Sequence, residues 1–244
     1  MDVDTRIEKL SDPAGLAQAA ADHFVSIIGA AVRRRGRATV ALSGGSTPKA
    51  TYHRLATALP ADTIEWNRVH VFWGDERCVP PDHPDSNYRM ANDVLLSQVP
   101  LPSGNIPRIR GEEEPHTAAE KYEKILRSFF GQAEAAFDLA LLGLGEDGHT
   151  ASLFPLSEAV LREVQGSQNR WVMTNYVDKL TAWRVTLSTL PINAAAHIIF
   201  LVAGSDKANV LERVLHGPYI PEELPAQLIR PSNSHFAELR GFVS

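Results

Sequence analysis

The chain has 244 residues, 44% of them hydrophobic and 22% charged, which is enough apolar material for a large core, and we expect one domain over residues 1–244. The formal net charge of -5 and the isoelectric point near 6.0 argue against a nucleic-acid partner, because binding to a phosphate backbone needs a basic face. The single Cys78 cannot form an internal disulfide, residues 1–12 lack a secretory leader pattern, and no uninterrupted apolar run approaches the ~20 residues of a membrane span. We therefore expect a cytoplasmic protein without a membrane partner, either a monomer or a weak homodimer.

Strands and helices alternate along the chain. Asp12 and Pro13 are typical of a helix start, and apolar residues at helical spacing predict an amphipathic helix over 13–35. The apolar run 39–42 predicts a strand that leads through the loop 43–48 into a second helix. The remaining predictions are a polar loop at 74–85, a helix from about 86 to 97, a helix that ends near 216, and strands at 69–73, 137–142, 171–177, 184–188 and 197–203. This alternation implies right-handed crossovers and predicts an α/β fold with a mainly parallel sheet covered on both faces.

Four loops follow predicted strands and contain many phosphate-binding and titratable side chains. In an open parallel sheet, ligands bind beyond the carboxyl ends of the strands, where such loops meet helix N-termini. The loops are 43–48, 74–87, 143–152 and 204–207. We expect an active site where they converge.

The first of these loops combines glycines, hydroxyls and a helix start. Glycine lets the backbone approach a ligand closely, and free amides at a helix N-terminus suit a phosphate ester. The candidate phosphate-binding residues are Ser43, Gly44, Gly45, Ser46 and Thr47. The spacing of a Walker A loop is missing, and a glycine-rich turn with capping hydroxyls remains the alternative.

The second loop places acids and an arginine directly after a hydrophobic strand. Arg77 has a fork of donors that could hold a phosphate or carboxylate, and Asp75 could orient a hydroxyl or a catalytic group. A salt bridge from Arg77 to Glu76 or Asp75 is the competing interpretation. Cys78 is expected to pack as a small hydrophobic residue.

The third loop contains an aspartate two residues before a histidine. Histidine can accept a proton from water near neutral pH, and a nearby carboxylate can fix its tautomer, so His149 and Asp147 are candidate catalytic residues. A purely structural histidine is the alternative. Gly143-x-Gly145-x-x-Gly148 matches the dinucleotide fingerprint only weakly, because Pro155 follows too soon for a long helix.

Lys207 follows the last predicted strand near a helix start, where its ammonium group would face the same cleft or remain solvated. The other histidines are scattered without the spacing of metal ligands, so we expect no metal.

Three segments together resemble the 6-phosphogluconolactonase family. They are Ser43-Gly44-Gly45-Ser46-Thr47-Pro48, Gly74-Asp75-Glu76-Arg77 with Ser86-Asn87-Tyr88, and Asp147-Gly148-His149-Thr150-Ala151-Ser152-Leu153-Phe154-Pro155. The resemblance implies a fold similar to those of glucosamine-6-phosphate deaminase and ribose-5-phosphate isomerase, and hydrolysis of 6-phospho-D-glucono-1,5-lactone without a cofactor. It implies that His149 activates water, with Asp147 and Asp75 as further catalytic residues, and that Arg77 and Lys207 help to bind the phosphate.

The chain departs from related enzymes at two places. Deaminases of the wider superfamily usually follow the histidine with a segment ending in Asn-Glu-Pro, whereas this chain has Ser152-Leu153-Phe154-Pro155. The tail reads His235-Phe236-Ala237-Glu238, where family members often have a tryptophan and an aspartate. An aldose-ketose isomerase or deaminase, a nicotinamide dehydrogenase and a non-catalytic sugar-phosphate sensor remain alternative functions.

Overall fold

The computed structural model describes residues 4–60, 63–131, 137–166, 169–231 and 238–243. Within these residues, two sheets form. The larger is entirely parallel, and its strands in spatial order are β1 (Asp4–Lys9), β9 (Glu238–Val243), β8 (His197–Val202), β5 (Leu139–Gly143), β2 (Ala38–Leu42) and β3 (Val69–Trp73). The smaller is antiparallel, and its strands in spatial order are β4 (Asp75–Arg77), β7 (Ala182–Leu187) and β6 (Val172–Val177).

Helices pack against the parallel sheet and also against the antiparallel one. They are α1 (Pro13–Arg35), α2 (Ser46–Thr57), α3 (Asn87–Ala91), α4 (Pro115–Phe130), α5 (Glu158–Val164), α6 (Thr189–Asn193) and α7 (Ala208–His216). A π-helical turn, Asn92–Leu96, continues α3, and short 3₁₀ turns occur at Trp66–Arg68, Ser103–Asn105, Asp178–Leu180, Ser205–Lys207 and Pro225–Leu228.

The longest helix, α1, has clear start and stop signals. The Asp12 carboxylate accepts a hydrogen bond from the Gly15 amide at 2.8 Å, and Gly36 ends the helix in the left-handed conformation with φ 72°. By length and composition α1 could cross a membrane. Its apolar face, however, is buried in the core, where Phe24 and Ile28 are fully inaccessible. Such burial contributes about 1.5–3 kcal/mol for each large side chain.

The structure confirms the α/β class, the parallel sheet, the helix over 13–35 and the strand over 69–73. The expected strands at 171–177 and 184–188 do form, but they belong to the antiparallel sheet. The expected loop 74–85 contains a strand, β4, which begins that sheet. Strand β1 was not predicted, and residues 235–237 of the tail lie outside the described residues.

Strand order brings the predicted loops to one edge. Strands β8, β5, β2 and β3 are consecutive neighbours and parallel, so the loops after them leave the sheet on the same side. Gly74 joins the two sheets there: its amide donates to Leu42 O at 2.8 Å, and its carbonyl accepts from the Leu187 amide at 2.8 Å. The small sheet therefore stands at the carboxyl edge of the large one.

Candidate active site

The glycine loop after β2 is anchored by a buried tyrosine. Tyr52 Oη accepts a hydrogen bond from the Ser43 amide at 3.0 Å and donates one to Ser43 O at 2.9 Å. Burial raises the pKa of Tyr52, so the phenol stays neutral and keeps both contacts. Gly45 has φ 107°, a conformation that favours glycine, and it turns the chain into α2.

This loop leaves hydrogen-bonding groups open at the start of α2. Within the described residues, the amides of Gly44 and Gly45 donate no hydrogen bond, and the buried Ser43 hydroxyl has no partner. Buried polar groups are almost always satisfied, so an unpaired one here indicates a place for a ligand atom. The predicted phosphate-binding loop therefore has the donors that its chemistry needs.

Asn87 connects the glycine loop to the acidic loop after β3. A Cβ atom on Gly44 would lie 1.9 Å from Asn87 Oδ1, so glycine is required where these two residues meet. Asn87 Nδ2 donates to Asp75 O at 3.0 Å and to Asp75 Oδ1 at 3.2 Å. This contact fixes Asp75 beside the glycine loop.

Glu76 organises the segment between β3 and α3. This buried carboxylate accepts hydrogen bonds from the Arg77, Asn87 and Tyr88 amides at 2.7, 2.8 and 2.8 Å and from the Ser86 hydroxyl at 3.1 Å. Burial raises the pKa of Glu76, and the three amides partly oppose that rise. Its carboxylate is fully occupied within the protein, so Glu76 supports the site without facing a ligand.

Asp75 also reaches the loop after β5. Its Oδ2 accepts a hydrogen bond from Ser152 Oγ at 2.6 Å, and Ser152 is held in turn by Asn175 Nδ2, which donates to Ser152 O at 2.8 Å. The Ser152 amide donates to Thr186 Oγ1 on β7 at 3.2 Å. Asp75 thus lies at the junction of three of the four predicted loops.

The predicted histidine is oriented by its predicted aspartate. His149 Nδ1 lies 2.5 Å from Asp147 Oδ1, and the ring stacks on Phe154 with centroids 4.1 Å apart and planes 22° apart. A carboxylate partner requires that Nδ1 carry the proton, which leaves Nε2 as the acceptor in the neutral ring. The side chain is 28% exposed, so the ring is accessible to solvent.

Lys179 binds the second carboxylate oxygen of Asp147. Its ammonium group bonds Asp147 Oδ2 and lies 5.1 Å from the centre of the Phe154 ring. Partial burial alone would raise the pKa of Asp147, but the hydrogen bonds from His149 and Lys179 outweigh it and hold that pKa well below its ordinary value. Asp147 is therefore ionised at neutral pH, and it borders a cleft of about 610 Å³ together with Lys179 and Phe154.

Lys207 lies in the turn before α7, where it bridges two loops. Its side chain is only 18% exposed and lies 3.4 Å from Glu146 and 3.5 Å from Asp206. Most of the Lys207 side chain is therefore shielded from solvent, and both acids belong to loops at the same sheet edge. A ligand that takes this ammonium group must compete with them.

The described residues also show the contacts of Arg77, the environment of Cys78 and the arrangement of potential metal ligands. Arg77 forms no salt bridge with Glu76 or Asp75 there, and instead donates to Asp85 O at 2.6 Å. Burial raises the pKa of the Cys78 thiol to about 11, which makes the packed interpretation the better one. Within the described ranges, no group of three His, Cys, Asp or Glu residues is arranged to hold a metal ion.

Several residues at the site were not assigned a role from the sequence: Asn87, Ser152, Lys179 and Arg184. Asn87 and Ser152 stood within the quoted motifs, but only the fold shows that both bind Asp75. Arg184 lies on β7 and Lys179 lies in the turn between β6 and β7, and sequence periodicity did not connect this hairpin to the cleft.

Together these features place a hydrogen-bonded His–Asp pair and a glycine loop with open amides at the carboxyl edge of an α/β sheet, an arrangement typical of an enzyme. Residues 11–237 match the model of the family described as glucosamine-6-phosphate isomerases/6-phosphogluconolactonase. The chain belongs to that family.

Named relatives support the lactonase branch. A 6-phosphogluconolactonase from Nostoc sp. is 39% identical over 229 residues, covering 92% of this chain and 91% of the relative. One from Synechocystis sp. is 44% identical over 207 residues, covering 82% and 81%. The crystal structure of the Thermotoga maritima 6-phosphogluconolactonase is 31% identical with a TM-score of 0.83, covering 99% of this chain and 100% of that one. A monomeric glucosamine-6-phosphate deaminase, at 18% identity and a TM-score of 0.80, shares the fold.

Proposed function

We propose that this protein hydrolyses 6-phospho-D-glucono-1,5-lactone to 6-phospho-D-gluconate, the second step of the oxidative pentose phosphate pathway. The observation that carries the proposal is the 2.5 Å contact between His149 Nδ1 and Asp147, which leaves Nε2 free to act as a base. Relatives named 6-phosphogluconolactonase, at 39% and 44% identity, support the substrate.

The phosphate binds at the start of α2. The terminal phosphate oxygens accept hydrogen bonds from the open amides of Gly44 and Gly45 and from the hydroxyls of Ser43, Ser46 and Thr47. Arg77 and Lys207 supply positive charge from the neighbouring loops. Anchoring at this end fixes the lactone ring relative to the loop after β5, and such positioning lowers the entropy cost of the reaction.

His149 performs the proton transfers. Nε2 takes a proton from the water that attacks the lactone carbonyl carbon, and the imidazolium is stabilised by the ionised Asp147. The tetrahedral intermediate then expels the ring oxygen, which receives the proton from His149. One imidazole therefore serves both steps and returns neutral. Asp75, fixed by Asn87 and Ser152, accepts a hydrogen bond from a sugar hydroxyl.

A direct assay tests the proposal. A pH-stat or coupled assay on freshly generated lactone, with spontaneous opening subtracted, measures hydrolysis, and parallel assays for ammonia and fructose 6-phosphate measure deaminase activity. We expect lactone hydrolysis alone. Ammonia release from glucosamine 6-phosphate would transfer the assignment to the deaminases.

The chain also lacks the acidic residue of the deaminase pattern, since Phe154 takes its place and stacks on His149.

We further propose a single catalytic domain, a monomer or weak homodimer, located in the cytoplasm. Relatives from rice and Arabidopsis are named as chloroplastic, so location differs within the family.

A further inference from the structure

Two arginines lie opposite each other on neighbouring strands of the small antiparallel sheet. Arg77 on β4 and Arg184 on β7 are direct register partners. Side chains at such positions have Cβ atoms about 4.5–5.5 Å apart and lie on the same face of the sheet. Asp75 lies two residues before Arg77 on this strand, so it shares that face about 7 Å away. The arginine pair therefore borders the junction at which Asp75 meets the glycine loop.

Within the described residues, neither guanidinium group has a carboxylate partner. Arg77 donates to Asp85 O at 2.6 Å and Arg184 donates to Trp183 O at 3.0 Å, and both acceptors are backbone carbonyls. A guanidinium group has five N–H donors, so most donors of both residues have no partner in the part of the chain that the structure describes.

Two other partly buried arginines of the chain are paired with carboxylates. Arg108 lies 2.6 Å from Glu112, and Arg127 lies 2.7 Å from Glu123. These contacts neutralise cations that have lost part of their hydration. The pair on β4 and β7 lacks such compensation.

This arrangement costs stability unless an anion completes it. Like charges directly opposite each other in a sheet repel. Burial lowers the pKa of Arg184, and the charge of Arg77 lowers it further. A phosphate dianion removes the repulsion and can accept bidentate hydrogen bonds from each planar fork.

We propose that Arg184 completes the phosphate-binding site: together with Arg77 it forms a two-guanidinium clamp on the phosphate group of the substrate. This proposal rests on the proposed lactonase function, because it names a further residue of the same site. Arg184 binds substrate through the phosphate and takes no part in proton transfer.

The test compares binding of the phosphate with the chemical step. Arg184→Met removes the charge and the donors, and Arg184→Lys keeps the charge but loses the fork. Arg110→Met is the matched control, since it removes one positive charge from an exposed arginine that is 3.4 Å from Glu113. All three full-length variants are compared with wild type by circular dichroism, by lactone kinetics and by competitive inhibition with inorganic phosphate.

We expect Arg184→Met to raise KM for the phosphorylated lactone and the inhibition constant of inorganic phosphate by about ten- to a hundredfold, with kcat changed less than about threefold. Arg184→Lys should lie between wild type and Arg184→Met, and Arg110→Met should match wild type. An unchanged KM and phosphate constant in both Arg184 variants, or a loss of kcat alone, would overturn the clamp.

Isothermal titration with inorganic phosphate separates this proposal from the reaction assignment. If wild type binds phosphate and Arg184→Lys binds it less tightly, the clamp stands even where no lactone is hydrolysed. If wild type hydrolyses the lactone and the Arg184 variants bind phosphate as wild type does, only the clamp fails.

Discussion

Gly145→Ala is expected to disable the site without unfolding the protein. A Cβ atom on Gly145 would lie 2.0 Å from His149 Nδ1 and 2.2 Å from its Cε1, whereas ordinary contact begins at 3.4 Å. The imidazole must therefore retreat by about 1.4 Å, the difference between 3.4 and 2.0 Å, and this breaks its contact with Asp147. Misplacing a catalytic group by about 1 Å can cost about 10²-fold in rate. We expect kcat to fall at least a hundredfold in the lactone assay.

Gly143→Ala is the matched control for this substitution. Gly143 ends β5 in the same loop, and a Cβ atom there would meet nothing within 4 Å. We expect wild-type kcat for this variant and similar urea midpoints for both. If Gly145→Ala kept full activity, or if both variants lost activity equally, the role given to the orientation of His149 would be refuted.

Three further substitutions test the surroundings of the site. Lys179→Met should lower kcat about tenfold, whereas Lys179→Arg should retain most of the activity. Hydrogen bonds lower the pKa of Asp147, so its ionised carboxylate stabilises the fold above the ordinary pKa of 3.8, and this stabilisation is lost as the pH falls below that value. Lys179→Met should therefore lose less stability on acidification than wild type, as measured by urea titrations at several pH values. Glu76→Gln leaves buried amides without acceptors and should cost about 1–3 kcal/mol of unfolding free energy, measured from urea curves. Gly44→Ala pushes Asn87 out of contact and should raise KM about tenfold, with an unchanged KM contradicting the contact.

Local patterns in the sequence were sufficient to predict four strands of the parallel sheet, β2, β3, β5 and β8, but not β1. Proline and a capping aspartate mark the start of α1, and apolar runs mark β2 and β3 because strands buried on both faces have few polar residues. The positions of the four loops follow from the parallel topology alone. The sequence therefore predicts Asp147 and His149 side by side in one of these loops, and the structure has them in contact.

The antiparallel sheet could not be derived in the same way. Strand β4 has only three residues, and its partner β7 follows more than a hundred residues later, so no local periodicity signals their pairing. This long-range pairing places Arg184 opposite Arg77, and the contact of Lys179 with Asp147 likewise joins distant parts of the chain. Ser152 stood beside the histidine in sequence, yet its hydrogen bond to Asp75 depends on the fold.

His149→Asn tests the central claim most directly. Asparagine keeps a polar side chain but has no group that accepts and returns a proton at neutral pH, and general acid–base catalysis contributes about 10²–10⁴-fold. Initial rates on fresh lactone should fall by that factor, while calorimetric binding of 6-phosphogluconate stays within about threefold of wild type. Full lactonase activity in a folded His149→Asn variant would contradict the proposed role of His149.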